Sequence, residues 1–114
     1  MKRNTLLYFK DILDNMKKAE TFLKDVNYQD FAKDEEKNYA IVRCIEIIGE
    51  ASKNIPKFII EKYPDVPWRD IIRTRDLISH HYDIVDSREI WDIVKKDIPS
   101  IKLFIQKAYK DLKK

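Results

Sequence analysis

An all-α, up-and-down bundle of about five helices is predicted by three features of this sequence. Apolar residues recur every three or four positions through most of its length, the period of one helix face. One Gly and four Pro are all that interrupt 114 residues, so the elements are long. No alternating strand pattern, internal repeat or low-complexity tract breaks the helical spacing.

Each element follows from its own residues. The first helix is expected from about Asn4 to Asp25, where Leu6, Phe9, Ile12, Leu13, Met16, Ala19 and Leu23 recur between lysines and acids. Asn4 or Thr5 can cap its start. Residues 26–33 break the pattern, and Asp34 then caps a second helix to about Asn54, with Ala40, Ile41, Cys44, Ile45, Ile48 and Ala51 as its apolar set. Gly49 sits in the middle of that helix, where it costs about 1 kcal/mol relative to Ala and points to close approach of a neighbouring helix. Pro56 suits the first turn of a short helix through Glu61 or Lys62, stopped by Pro64. Pro67 opens the helix that carries Arg75. Asp86, with Glu89 three residues later, forms a capping box for the next helix, whose apolar face is Ile90, Ile93, Val94 and Ile98. Pro99 should kink or divide that helix, while Ile101, Leu103, Phe104, Ile105, Ala108 and Leu112 carry helical spacing to the end.

Length and composition bound the possible functions. The chain has the size of one domain, residues 1–114, and 44% of it is apolar against 38% charged. Lys and Arg outnumber Asp and Glu by 23 to 20, an interspersed +3 that permits a polyanionic partner without demanding one. Cys44 is the only cysteine, so no disulfide can form within the chain. Its neighbours Val42 and Ile45 suggest a buried thiol rather than a catalytic one. The stretch from Met1 to Lys10 lacks the apolar core of a secretory signal, and no segment approaches the roughly 20 apolar residues of a membrane span. A soluble cytoplasmic protein is expected. No glycine-rich phosphate loop occurs, and the adjacent histidines lack a third ligand at familiar spacing, so neither cofactor nor metal is expected.

The chemistry concentrates in Arg75-Asp76-Leu77-Ile78-Ser79-His80-His81-Tyr82, which holds both histidines of the chain. A guanidinium can grip phosphate oxygens through paired hydrogen bonds, and an imidazole moves protons near neutral pH. On an ideal helix Arg69, Arg73 and Asp76 lie opposite the apolar arc of Trp68, Ile71, Ile72 and Ile78. Arg75 falls inside that arc, and Tyr82 projects from nearly the same direction two turns later. An inward arginine must be paired or open onto a cleft. His80 falls about 140° around the helix from Arg75, so the two reach one phosphate only if the helix unwinds after Ser79 or a two-fold dimer shares a cleft. The dimer, with some unwinding of the helix, is preferred, since Leu77 adds apolar surface off the main arc. The alternative is purely structural: Arg75 pairs with an acid such as Glu46 or Glu50, His80 is a helix C-terminal cation, and Tyr82 belongs to the core.

These eight residues fit R-x4-H-x-Y, and the chain there resembles the HepT-like toxins of the HEPN superfamily. Ile47-Ile48-Gly49-Glu50-Ala51 is similar to that family's glycine-glutamate-alanine segment, and Tyr63-Pro64-Asp65-Val66-Pro67-Trp68 to the proline-tryptophan lead into its motif helix. Tyr82 to Asp86, Trp91 and Asp97-Ile98-Pro99 match the downstream pattern. The resemblance covers nearly the whole chain and is weakest over residues 1–35. It implies a homodimeric, metal-independent endoribonuclease acting on RNA, paired with an MNT-type nucleotidyltransferase antitoxin as in type VII toxin–antitoxin systems. It implies that Arg75 and His80 are the catalytic pair and that Tyr82 is the tyrosine the antitoxin modifies with AMP. The residue after the arginine is often asparagine in that family; here it is Asp76, which keeps an acceptor but adds negative charge. Asp76 remains a candidate to orient an imidazole, and His81 a candidate base or acid beside His80. The competing expectation is a non-catalytic helical module that docks and regulates a nucleotidyltransferase.

Overall fold

Two long helices that cross at a glycine set the frame. The protein is described by a computed structural model covering residues 2–114, with side chains from Asn4 onward; Met1 of the N-terminal stretch lies outside the described residues. The helices are α1 (Lys2–Phe22), α2 (Tyr28–Lys33), α3 (Glu35–Lys53), α4 (Lys57–Lys62), α5 (Trp68–His81), α6 (Ser87–Asp92) and α7 (Ile98–Leu112). A 3₁₀ turn, Tyr82–Ile84, follows α5, and a π turn, Ile93–Asp97, joins α6 to α7. No strand is present among the described residues.

The apolar spacing becomes the core. Phe9, Ile12 and Met16 of α1, Ile41, Ile45 and Ile48 of α3, Ile78 of α5, Ile90 of α6 and Ile105 of α7 are all buried. Each such side chain contributes about 1.5–3 kcal/mol relative to an exposed one. α3 packs on α1 along one side and on α5 along the other, and α7 returns against α1. Phe9 meets Trp68 edge to face at 5.7 Å, and the Trp68 indole donates to the Tyr63 carbonyl at 3.1 Å. The start of the motif helix is thereby pinned to α1.

Caps explain most boundaries. Asp34 accepts from the Lys37 amide and Asp86 from the Glu89 amide, each at 3.0 Å, as the sequence suggested. Pro56 and Pro67 sit at the N-caps of α4 and α5 rather than inside their first turns. α1 begins at Lys2, so Asn4 and Thr5 lie within it and do not cap it. It ends at Phe22, short of Asp25, and Asp25 turns the chain with a positive φ of 61°. Residues 26–33 are not simply a break: Asn27 accepts from the Asp30 amide at 2.8 Å and starts α2. Phe31 of α2 is buried and, with Tyr28, packs on Trp91 of α6. Pro99 neither ends nor divides the last rod. It lies in the first turn of α7, and the π turn just before it widens the helix where the ring would crowd the carbonyl of Lys95.

Candidate active site

The seam between α3 and α5 has an apolar side and a polar side, and Arg75 runs along the polar one. Gly49 explains how it fits: a Cβ at position 49 would fall inside the contact radius of the Cβ and Cγ of Arg75. The mid-helix glycine therefore provides the groove for the arginine stem, the close approach its position implied. Beyond that groove one terminal nitrogen of the guanidinium donates to Glu50 Oε1 at 3.1 Å and the other to Asp76 Oδ1 at 3.0 Å. Its Nε–H is buried and, among the described residues, has no hydrogen-bond partner.

Neither acid seals the cation. The Arg75 side chain is 17% exposed, but Glu50 is 51% and Asp76 40% exposed, so the guanidinium sits at the rim of the molecule. Lys53 donates to the same Asp76 oxygen at 2.8 Å, and one turn further along α5 Ser79 donates to Glu46 at 2.9 Å. Hydrogen bonding to Asp76, then to Glu50, raises the pKa of Arg75 despite some loss of solvent. Lys53 first and Arg75 second hold the Asp76 carboxyl below the usual carboxylate range. Asp76, expected beside an imidazole, has its Oδ1 between two cations and holds Arg75 in place.

The histidines stand apart from this seam. α5 stays helical past Ser79 and leaves the α conformation only at His81, with φ −134° and ψ 32°. His80 and His81 are both exposed, and neither has a hydrogen-bond or ion-pair partner among the described residues. Within one chain, Arg75 and His80 thus remain on different sides of the helix. Leu77 and Ile84, flanking the histidines in sequence, are exposed as well. Tyr82 is half-buried in the 3₁₀ turn, its ring tilted 32° against exposed Tyr39 of α3 at 5.5 Å between centroids. Burial, followed by the charges of Tyr39 and Glu35, pushes its hydroxyl pKa up. Cys44 is buried and its thiol pKa is raised by that burial, which removes it from the candidates for a reactive nucleophile.

Tyr39 and Lys53 were not singled out by sequence reasoning. Lys53 acts across α3–α5 and Tyr39 from α3 onto the 3₁₀ turn, and only α3's phase, set by Gly49 and Arg75, could have brought them forward. Among the described residues no three His, Cys, Asp or Glu side chains gather as metal ligands. No helix there is long and apolar enough to cross a membrane.

Comparison with known proteins bears on this arrangement. The HepT-like family, described as Ribonuclease HepT-like, matches residues 12–108. A Thermococcus cleftensis protein named "Probable ribonuclease HepT" is 42% identical over 110 residues, covering 96% of this chain and 100% of the relative. "Putative RNase MJ0125" of Methanocaldococcus jannaschii is 41% identical, covering 97% of this chain and 96% of its own. A Caldanaerobacter subterraneus protein named "Putative RNase TTE0752" is 40% identical across 82% of this chain and 84% of its own length. No solved structure matches. With a helical frame, an arginine held at a solvent-facing rim and this likeness over almost all of its length, the chain belongs to the HepT-like ribonuclease family.

Proposed function

We propose that this chain is the endoribonuclease toxin of a toxin–antitoxin pair and cleaves RNA without a metal. His80 removes the ribose 2′-proton, and the 2′-oxygen attacks the adjacent phosphorus. Arg75 stabilises the charge that builds on the phosphoryl oxygens. The leaving 5′-oxygen takes a proton from His81 or from His80 of a second copy, giving a 2′,3′-cyclic phosphate and a 5′-hydroxyl. The observation that carries the reading is the placement of Arg75: a guanidinium aligned by Gly49, yet held at the rim by two half-exposed carboxylates that a phosphate can displace.

Arg75 and His80 diverge on a regular helix, which favours a homodimer in which each cleft receives His80 from the other copy. Exposed Leu77 and Ile84 supply apolar surface for that pairing. Tyr82 is the residue we assign to AMP transfer by an MNT-type nucleotidyltransferase antitoxin; the added phosphate would compete with RNA for Arg75. A second reading draws on the same carboxylates. If Glu50 and Asp76 were permanent partners of Arg75, the chain would be a non-catalytic module that docks the nucleotidyltransferase.

Incubation of unmodified protein with RNA in excess chelator separates the two. Cleavage to cyclic phosphate ends, absent on DNA, is expected. Arg75→Ala and His80→Ala should each lower the rate by about a hundredfold or more with the helical circular dichroism retained. A folded Arg75→Ala protein that cleaves like the wild type would overturn the assignment.

A further inference from the structure

Away from the motif, lysines from two elements converge on one groove. Lys62 at the end of α4 meets Lys107, Lys110 and Lys114 around a cavity of about 480 Å3 that Tyr63 and Phe104 also line. Asp65 and Asp111 share it, so cations outnumber acids there. Asp111 accepts the Tyr63 hydroxyl, and that bond, followed by Lys62, Lys114 and Lys107, keeps its pKa low. Lys107 and Lys110 are exposed and, among the described residues, neither is ion-paired.

The groove does not end at these lysines. A shallower depression shares Pro64 and Val66 with it and reaches Arg69 and Asp70 at the start of α5. From there Arg69, Arg73, Asp76 and His80 recur at helical spacing on one face of α5, and Arg69, Arg73 and His80 are exposed. Among the described residues the only ion pair of Arg73, to Asp70, is 3.8 Å long and lies in open solvent, so it holds the cation weakly. From Trp68 to His80 this face runs about 18 Å along the helix axis.

We propose that the lysine groove and this face of α5 form one track for the backbone of single-stranded RNA, leading it to His80. The proposal rests on the ribonuclease reading and names where the substrate lies outside the cleavage site. A strand must turn from the groove onto α5, which a flexible single strand does and a duplex resists. Partly exposed Phe104 and Tyr63 give bases an aromatic surface there, while the lysines neutralise phosphates.

The test uses 2′-O-methyl RNA, which binds but cannot be cleaved, as a trinucleotide and as a 12-mer. The double variant Lys107→Glu/Lys110→Glu is compared with wild type and with Lys17→Glu/Lys18→Glu, which makes the same charge change on exposed positions of α1. The groove variant should bind the 12-mer at least tenfold more weakly, with the salt slope of log affinity reduced by about 1.4 for two lost phosphate contacts. Trinucleotide binding should stay within about twofold, and the α1 variant should match wild type. Equal weakening by both variants would reduce the effect to net charge and overturn the track. So would unchanged 12-mer binding, including the case in which the groove variant instead loses an acidic protein partner. Since binding is read on uncleavable RNA, a wild type that cleaves nothing refutes the ribonuclease reading and leaves this result legible.

Discussion

The stem of Arg75 crosses α3 at the one position where α3 carries no side chain. Its depth there, together with Glu50 and Asp76 at its tip, makes the resting guanidinium an occupied site, which under the proposed function RNA would enter by exchange. Glu50 is half-exposed, and pairs of that kind hold by about 0.2–1 kcal/mol. Glu50→Gln is therefore expected to tighten RNA binding about two- to fivefold while leaving the fold unchanged, measured by titration with uncleavable RNA. Weaker binding would show that Glu50 aligns the guanidinium instead of competing for it. At this scale the sequence was informative about Arg75, because an arginine inside an apolar arc breaks the helical pattern visibly. It was silent about Lys53 and Tyr39, whose partners Asp76 and Tyr82 lie on α5 and on the turn after it. Glu50 was legible only as one of two possible partners, and its exposure could not be read from spacing.

Elements are locked to one another at two places that mutation can probe. At the α3–α5 crossing, Gly49→Ala adds a methyl group against the first carbons of Arg75, where no flexible end can swing away. Overpacking of this kind costs about 1–3 kcal/mol, partly offset by the roughly 1 kcal/mol gained when Ala replaces a helical Gly. A net loss near 1 kcal/mol in urea unfolding is expected, with a larger fall in cleavage because Arg75 is displaced. The second lock joins the end of α4 to the last turn of α7 through the Tyr63 hydroxyl on Asp111. Burial and that acceptor push the Tyr63 pKa up to about 12. A raised folded-state pKa contributes stability fully below the ordinary tyrosine value near 10 and loses it as pH rises through about 12. Wild type should lose stability more steeply than Tyr63→Phe across that window, measured by urea midpoints at each pH. Long helices were readable because many residues vote on their phase. α2, six residues long, was not: less than two turns cannot show a period, and its one signal was Asn27 three residues before Asp30.

For the whole molecule, the frame was legible and the assembly of the site was not. Helix order and most of the core follow from apolar spacing, whereas the separation of Arg75 from His80 depends on α5 remaining regular to His81. For the homodimer proposed above, replacing Leu77 and Ile84 with Asp should yield a folded monomer by light scattering that has lost cleavage although Arg75 and His80 are intact. Mixing inactive Arg75→Ala with inactive His80→Ala protein should then restore part of the activity, since one hybrid cleft receives both native groups. The π turn before Pro99 governs another property of the chain. Ile90, Val94 and Ile98 are all buried yet follow one another at four-residue steps. At 100° per residue eight positions overshoot two turns by about 80°, so a regular helix would rotate Ile98 off the core. The wide turn absorbs that surplus and acts as a phase adjuster for everything downstream. Deleting one solvent-facing residue, Lys96, should consequently leave seven positions, about 20° short of two turns, and keep Ile105 and Ala108 inside, whereas inserting one residue there should swing them outward, so that length in this segment matters more than residue identity.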